Sequence, residues 1–145
     1  KLPLFRYFFF FFFTDKGNGF YALNGRAEPA ALRAWFAQND FNALCFTDSR
    51  SRYQYYDLRR LAKDIDTALE AGLNILNLAT PPVSADEVYE AVTGKTGWRN
   101  ETAAQPFDYD MRSLHAALLG GENGYLTTKE QELLEITAFM REWKD

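Results

Sequence analysis

Between Leu58 and Leu69 the apolar residues recur every three or four positions, and from Leu73 to Leu78 they run on with only asparagine between them. The first rhythm, carried by Leu58, Leu61, Ala62, Ile65, Ala68 and Leu69, predicts an amphipathic helix over 57–71. Arg59, Arg60, Lys63, Asp64, Asp66 and Glu70 are then left for water. Asp57 suits the N-cap, and Gly72 suits the left-handed position after the last turn. The second run, 73–78, predicts a buried strand that Pro81-Pro82 ends. Ser84 and Glu87 have the spacing of a capping box and predict a helix over 84–93, stopped by Gly94. Upstream, SRYQYY (51–56) predicts a strand with Arg52, Gln54 and Tyr56 on one face and Tyr53 and Tyr55 on the other. Residues 51–94 therefore form a strand-helix-strand-helix unit, and this alternation predicts an α/β chain with parallel strands.

The flanks are more varied. TDKGNG (14–19) predicts a turn, FYAL (20–23) a short strand, and Pro29 with Ala30, Ala31, Leu32, Ala34, Trp35 and Phe36 a helix that Asn39-Asp40 stops. FNALCF (41–46) predicts a second short strand. Beyond Gly94 the chain is irregular, with a short strand at 97–99 and a helix from Asp110 through Leu119. Thr127 and Glu130 have capping-box spacing for a helix over 128–143, with Leu133, Ile136, Thr137, Met140 and Trp143 on one face. Its acidic residues, Glu130, Glu132, Glu135 and Glu142, predict a solvated face.

A chain of 145 residues is long enough to bury a core, and 47% apolar with 25% charged residues is ordinary for a globular protein. Much of the 17% aromatic content sits in Tyr7–Phe13. Six consecutive phenylalanines are an aggregation hazard on an exposed edge, so residues 1–13 are expected as an apolar strand segment with several rings buried. Lys1 and Arg6 leave fewer than the ~20 uninterrupted apolar residues that a membrane span needs. A net charge of −4 lacks the basic footprint of nucleic-acid binding. A single cysteine, Cys45, excludes an internal disulfide, and with one histidine, His115, it makes a transition-metal site improbable. The expected setting is reducing and cytoplasmic, with no membrane and no nucleic acid as partners.

Taken in order, LPLF (2–5), SRYQYYDLRRLAKDIDTALEAG (51–72), LNILNLATPPVSADEVYEAVTG (73–94) and DMRSLHAALLGGENGY (110–125) resemble the C-terminal half of NAD(P)-dependent epimerase/dehydratase proteins, the extended short-chain dehydrogenases. A subgroup of sugar-nucleotide epimerase-like proteins is particularly similar. The resemblance implies a Rossmann-like α/β fold of which residues 1–145 are one substrate-side region. Within it, 1–13 would be the apolar strand, 14–50 a variable insert, 51–94 the βαβα unit and 95–145 the C-terminal helices. It also implies that the nucleotide-binding half is missing. The G-x-x-G-x-x-G loop that holds a dinucleotide pyrophosphate has no counterpart here. Gly17 and Gly19 lack both the third glycine and the following helix, and are turn residues. NAD or NADP is expected in the full-length protein, with none bound by this chain alone.

Tyr125 and Lys129 have the spacing of the family's Tyr-x-x-x-Lys pair, with Ser113 before them, but they fall in the wrong region and straddle a helix start. No catalytic residue is therefore assigned. In the family, arginines from this lobe grip the phosphates of a nucleotide-sugar, for which a planar guanidinium is suited. The resemblance accordingly implies substrate-binding roles for Arg52, Gln54, Arg112 and Arg50, the last lying seven residues before Asp57. From the residues alone, these arginines could equally be surface groups or partners of Asp48, Asp108 or Asp110. The expected function is the substrate-binding portion of a nucleotide-sugar epimerase/dehydratase-like oxidoreductase, inactive alone and able to form a homo-oligomer. The alternative is a non-catalytic binding or protein-interaction module on the same fold.

Overall fold

Asp15 and Asn18 shape the first turn: their side chains accept the Gly17 and Phe20 amides at 2.8 and 3.1 Å. The turn joins β1 (Phe13–Asp15) to β2 (Tyr21–Leu23) in an antiparallel hairpin with Phe13 opposite Leu23. The structure is a computed structural model that describes residues 9–26, 28–102 and 105–142. The chain divides into two compact units, Lys1–Cys45 and Phe46–Asp145.

In the first unit, of the described residues of the expected apolar strand only Phe13 is extended, because residues 9–12 are helical. The turn of helix brings Phe9 and Phe13, four residues apart, into a stack at 4.5 Å, which an extended backbone would not do. LPLF lies outside the described residues. Helix α1 (Pro29–Gln38) starts on its proline, buries Leu32 and stops at Asn39 and Asp40, the latter at φ 55°. The strand expected over 41–46 is instead a short helix, α2 (Ala43–Phe46). Asn42 decides this: its side chain accepts the Leu44 amide at 3.0 Å and its carbonyl the Cys45 amide at 3.0 Å.

The second unit is organised around β3 (Arg52–Tyr53). On one edge β3 pairs antiparallel with β4 (Val83–Ser84), Arg52 facing Ser84. On the other edge the Arg52 amide reaches the Phe107 carbonyl at 2.8 Å and its carbonyl accepts the Tyr109 amide at 3.1 Å, a parallel bridge to Asp108. A 3₁₀ turn (Leu58–Arg60) leads into α3 (Leu61–Glu70), and β4 leads directly into α4 (Ala85–Thr93). A second 3₁₀ turn (Ala116–Leu119) precedes α5 (Lys129–Glu142), which packs on α4.

The described residues therefore form a mixed α/β structure with two small sheets. The strand-helix-strand-helix order is present, but its second strand is not 73–78 and its pairing is not parallel. Residues 74–78 make no main-chain hydrogen bond among the described residues, and Ile75 is 80% exposed. The fully buried Val83 takes the strand position instead, after Pro81-Pro82. No strand forms at 97–99, and the helix expected from Asp110 contracts to the 3₁₀ turn.

Three of the expected end signals work as written. Asp57 accepts the Arg59 amide at 2.9 Å, and Gly72 and Gly94 take φ of 68° and 69°. At α5 the cap is one residue later than expected: Thr128, not Thr127, accepts the Gln131 amide at 3.2 Å. The face of α3 also differs. Asp64, expected in water, is buried, while Leu58, Ile65 and Leu69 are exposed. Burial of the Asp64 carboxylate is tolerable because it accepts the Tyr56 hydroxyl at 2.8 Å and lies 3.5 Å from Arg60.

Glu87 ties α4 to α5. Its carboxylate accepts the Ser84 amide at 2.8 Å and the Ser84 hydroxyl at 2.9 Å, and Lys129 donates to it at 2.9 Å. Burial alone would raise its pKa, but these three bonds outweigh that and hold it below the ordinary carboxylate value. Its contribution is thus present above the unfolded pKa and lost as pH falls through the folded one. Glu87→Ala is expected to lower stability at neutral pH by about 1 kcal/mol in urea unfolding. The difference from wild type should shrink in acid; an unchanged midpoint at neutral pH would exclude the cap as a stabilising contact.

Candidate functional site

Because both edges of β3 are occupied, the residues flanking it are held at defined positions. Arg52 leaves the strand beside Asp108, its guanidinium NH1 3.3 Å from the carboxylate. The chain then runs from Asp108 through Asp110 to Arg112. Arg112 donates to the Asn123 carbonyl at 2.9 Å and to Asp110 at 3.2 Å, and lies 4.6 Å above the Tyr125 ring. Gly124, at φ 85°, makes that approach possible: a Cβ there would stand 3.0 Å from Arg112 Cβ. Tyr125 completes the cluster by donating its hydroxyl to Asp110.

Asp110 is the electrostatic centre of this cluster. The Tyr125 hydroxyl above all, opposed by desolvation and then helped by the Arg112 hydrogen bond and charge and last by the charge of Arg52, holds its carboxyl below the ordinary range. Tyr125 is pushed up, by desolvation first and by Asp110 second. The side chains of Arg52 and Arg112 are 44% and 54% exposed, so both guanidiniums are within reach of a ligand. Each holds a carboxylate that an incoming phosphate would have to displace.

Gln54 joins the cluster from behind. Its Oε1 accepts the Met111 amide at 2.8 Å, and its Nε2 donates to the Met111 carbonyl at 2.8 Å and to the Thr80 carbonyl. Both ends of the amide are thus engaged by main chain, and Gln54 positions the segment that carries Arg112. Arg50 is engaged elsewhere: Nε and NH2 fork onto Asp48 at 3.0 and 2.9 Å, and NH1 lies 3.1 Å from Glu101. Asp48 also accepts the Thr102 amide at 2.9 Å, so this fork ties two chain segments together.

On the side-chain row that alternates with Arg52, Tyr53 lies 6.4 Å from Tyr55 and 5.9 Å from Tyr109, and Phe107 stacks on Tyr109 at 6.2 Å. Tyr125 and Lys129 bond different carboxylates, Asp110 and Glu87. His115 and Cys45 are half-buried, and among the described residues no three His, Cys, Asp or Glu side chains gather as a metal would need. Nor is any helix among them long and apolar enough to cross a membrane. In the first unit, a surface groove is lined by Phe10, Phe13, Asp15, Asn24 and Arg26, none of them a residue expected to bind substrate.

Glu132, expected on a solvated face, is completely buried. Its Oε1 accepts the Tyr55 amide at 2.8 Å and the Thr80 hydroxyl at 3.2 Å, while Oε2 has no partner among the described residues. Burial pushes its pKa up from 4.5 to about 7. One signal in the sequence could have placed it: Glu132 stands four residues before Ile136 and next to Leu133, at the margin of the inward face. The Asp110–Tyr125 bond leaves no such trace.

No protein-family model, curated protein or solved structure matches this chain.

The folded state binds the Glu132 proton more tightly than the unfolded state. Its contribution to stability is therefore full below the unfolded pKa and declines as pH rises through about 7. The amplitude is on the order of 3 kcal/mol. Glu132→Gln, uncharged throughout, should flatten that decline when unfolding is followed against pH. A wild-type curve as flat as the variant's would refute the assignment.

Proposed function

We propose that this chain is the substrate-binding portion of an NAD(P)-dependent nucleotide-sugar epimerase/dehydratase-like oxidoreductase, inactive by itself. The observation that carries the reading is that Arg52 and Arg112, distant in sequence, are held by carboxylates two residues apart, Arg52 by Asp108 at 3.3 Å and Arg112 by Asp110 at 3.2 Å. Two half-exposed guanidiniums on neighbouring carboxylates are a pair that a diphosphate would engage, replacing Asp108 and Asp110 as acceptor. Gln54 would hold the Arg112 segment in register. Arg50 would serve the same surface only indirectly, through the loop that it ties down.

In this reading the cofactor, NAD or NADP, is bound by a nucleotide-binding half outside these residues. Leu73–Leu78 would then be a strand of a Rossmann-like sheet completed by that half. The main chain of residues 74–78, unpaired among the described residues, and the exposed Ile75 support this assignment. The setting would be cytoplasmic, and the assembled enzyme a homo-oligomer.

A second reading, a non-catalytic interaction module, is favoured by a different observation. Ile65 and Leu69 of α3, with Leu58 of the 3₁₀ turn before it, leave apolar side chains exposed, and Phe107 and Tyr109 are exposed beside β3.

Titration calorimetry with uridine diphosphate, uridine and NADH separates these readings. The chain is expected to bind the diphosphate, to bind uridine far more weakly, and not to bind NADH. Arg52→Ala and Arg112→Ala should each weaken diphosphate binding about tenfold, the loss of one charge-assisted contact. Failure of the wild-type chain to bind the diphosphate at millimolar concentration would overturn the proposal. Tight NADH binding would show that the cofactor site lies within these residues.

A further inference from the structure

We propose that Glu132 is a positioning residue whose protonation state controls how firmly the Arg112 segment is held. The inference rests on the reading of Arg52 and Arg112 as an anion site only for its functional meaning. The coupling itself is visible in the bonds.

Glu132 Oε1 holds two groups that bracket Gln54: the amide of Tyr55, the next residue in the chain, and the hydroxyl of Thr80. The carbonyl of the same Thr80 accepts Gln54 Nε2. Gln54 in turn clamps both the amide and the carbonyl of Met111, the residue before Arg112. A continuous set of hydrogen bonds thus runs from a buried carboxyl on α5 to the backbone that presents Arg112.

The device has an off-balance element. Ionisation places negative charge on a completely buried carboxylate whose Oε2 has no donor among the described residues. The charge strengthens the Tyr55 and Thr80 bonds to Oε1 and at the same time penalises the buried position. Protonation reverses both effects. The charged or titratable groups bearing on Glu132 are few. Glu135 and Lys129 lie on its own helix, and Tyr55 faces it across the interface, its hydroxyl pushed up by burial. Lys129 is itself paired with Glu87 of α4, which takes up much of its charge. No ion pair to Glu132 forms among the described residues. Burial pushes its titration toward neutral pH, where a small change in proton concentration acts.

The test is a titration by nuclear magnetic resonance of the ligand-free chain. The Glu132 side-chain carboxyl carbon and the amides of Tyr55, Met111 and Arg112 are followed together from mildly acidic to mildly alkaline pH. A shared inflection near neutrality is expected at all four positions, and Glu132→Gln should abolish it at the three amides. Gln54→Ala provides the second control: the carboxyl inflection should persist while those of Met111 and Arg112 are lost. An amide of Met111 that ignores the Glu132 inflection overturns the proposal, as does a Glu132 carboxyl that titrates in the ordinary carboxylate range. If Glu132→Gln does not fold, the wild-type and Gln54→Ala titrations decide. No ligand enters the measurement, so failure of the anion-site reading would leave its result unaffected.

Discussion

The second unit depends on the rule that buried polar groups must find partners. Among the described residues its buried apolar side chains are mostly alanines, Ala68, Ala79, Ala85 and Ala116, with Val83 and Leu126, and such a core contributes modestly. Ser51, Thr80 and Glu132 are buried among them, and each draws a remote segment inward to be satisfied. Ser51 shows the pattern in miniature. Its carbonyl accepts the Ala85 amide at 2.9 Å, and its hydroxyl accepts the Phe107 amide at 3.0 Å. One completely buried serine thereby holds the start of α4 and the strand-like segment after residue 106 on opposite sides of β3.

This dependence explains why the candidate site is where it is. β3 cannot slide, since both of its edges are paired, and the 107–109 segment cannot leave without stranding the Ser51 hydroxyl. Asp108 and Asp110 are therefore delivered to the same neighbourhood as Arg52. Gln54 then draws Met111 in, and Arg112 follows, lying over Gly124 and the Tyr125 ring. The site is a by-product of backbone satisfaction rather than of an apolar pocket. Its electrostatics reflect this: each arginine already has a carboxylate, so an anion would exchange with an existing partner instead of filling bare positive charge.

Several features of the sequence were legible because they act over a few residues. Asp57, Gly72 and Gly94 mark helix ends by local backbone geometry alone. The TDKGNG turn and Pro29 are equally local, and Arg52 and Arg112 stood out by residue type. Other expectations failed where a distant partner decided the outcome. Leu73–Leu78 has the composition of a buried strand, but a strand requires a neighbour, and among the described residues it has none. Asp64 and Glu132 look like solvent-facing carboxylates until Tyr56, Tyr55 and Thr80 supply donors from elsewhere in the chain.

What the amino-acid order settled by itself is where most of the helices begin and end, and which side chains are chemically able to bind an anion. Caps, prolines and left-handed glycines act within a turn or two, so their consequences can be worked out from neighbours in sequence. Only the tertiary structure decided that β3 and β4 run antiparallel, that a glutamate lies in the interior, and that Arg52 comes to the segment carrying Asp108, Asp110 and Arg112. Those outcomes turn on whether a buried polar atom finds its partner, and the partner is supplied by residues tens of positions away, which no local pattern can reveal.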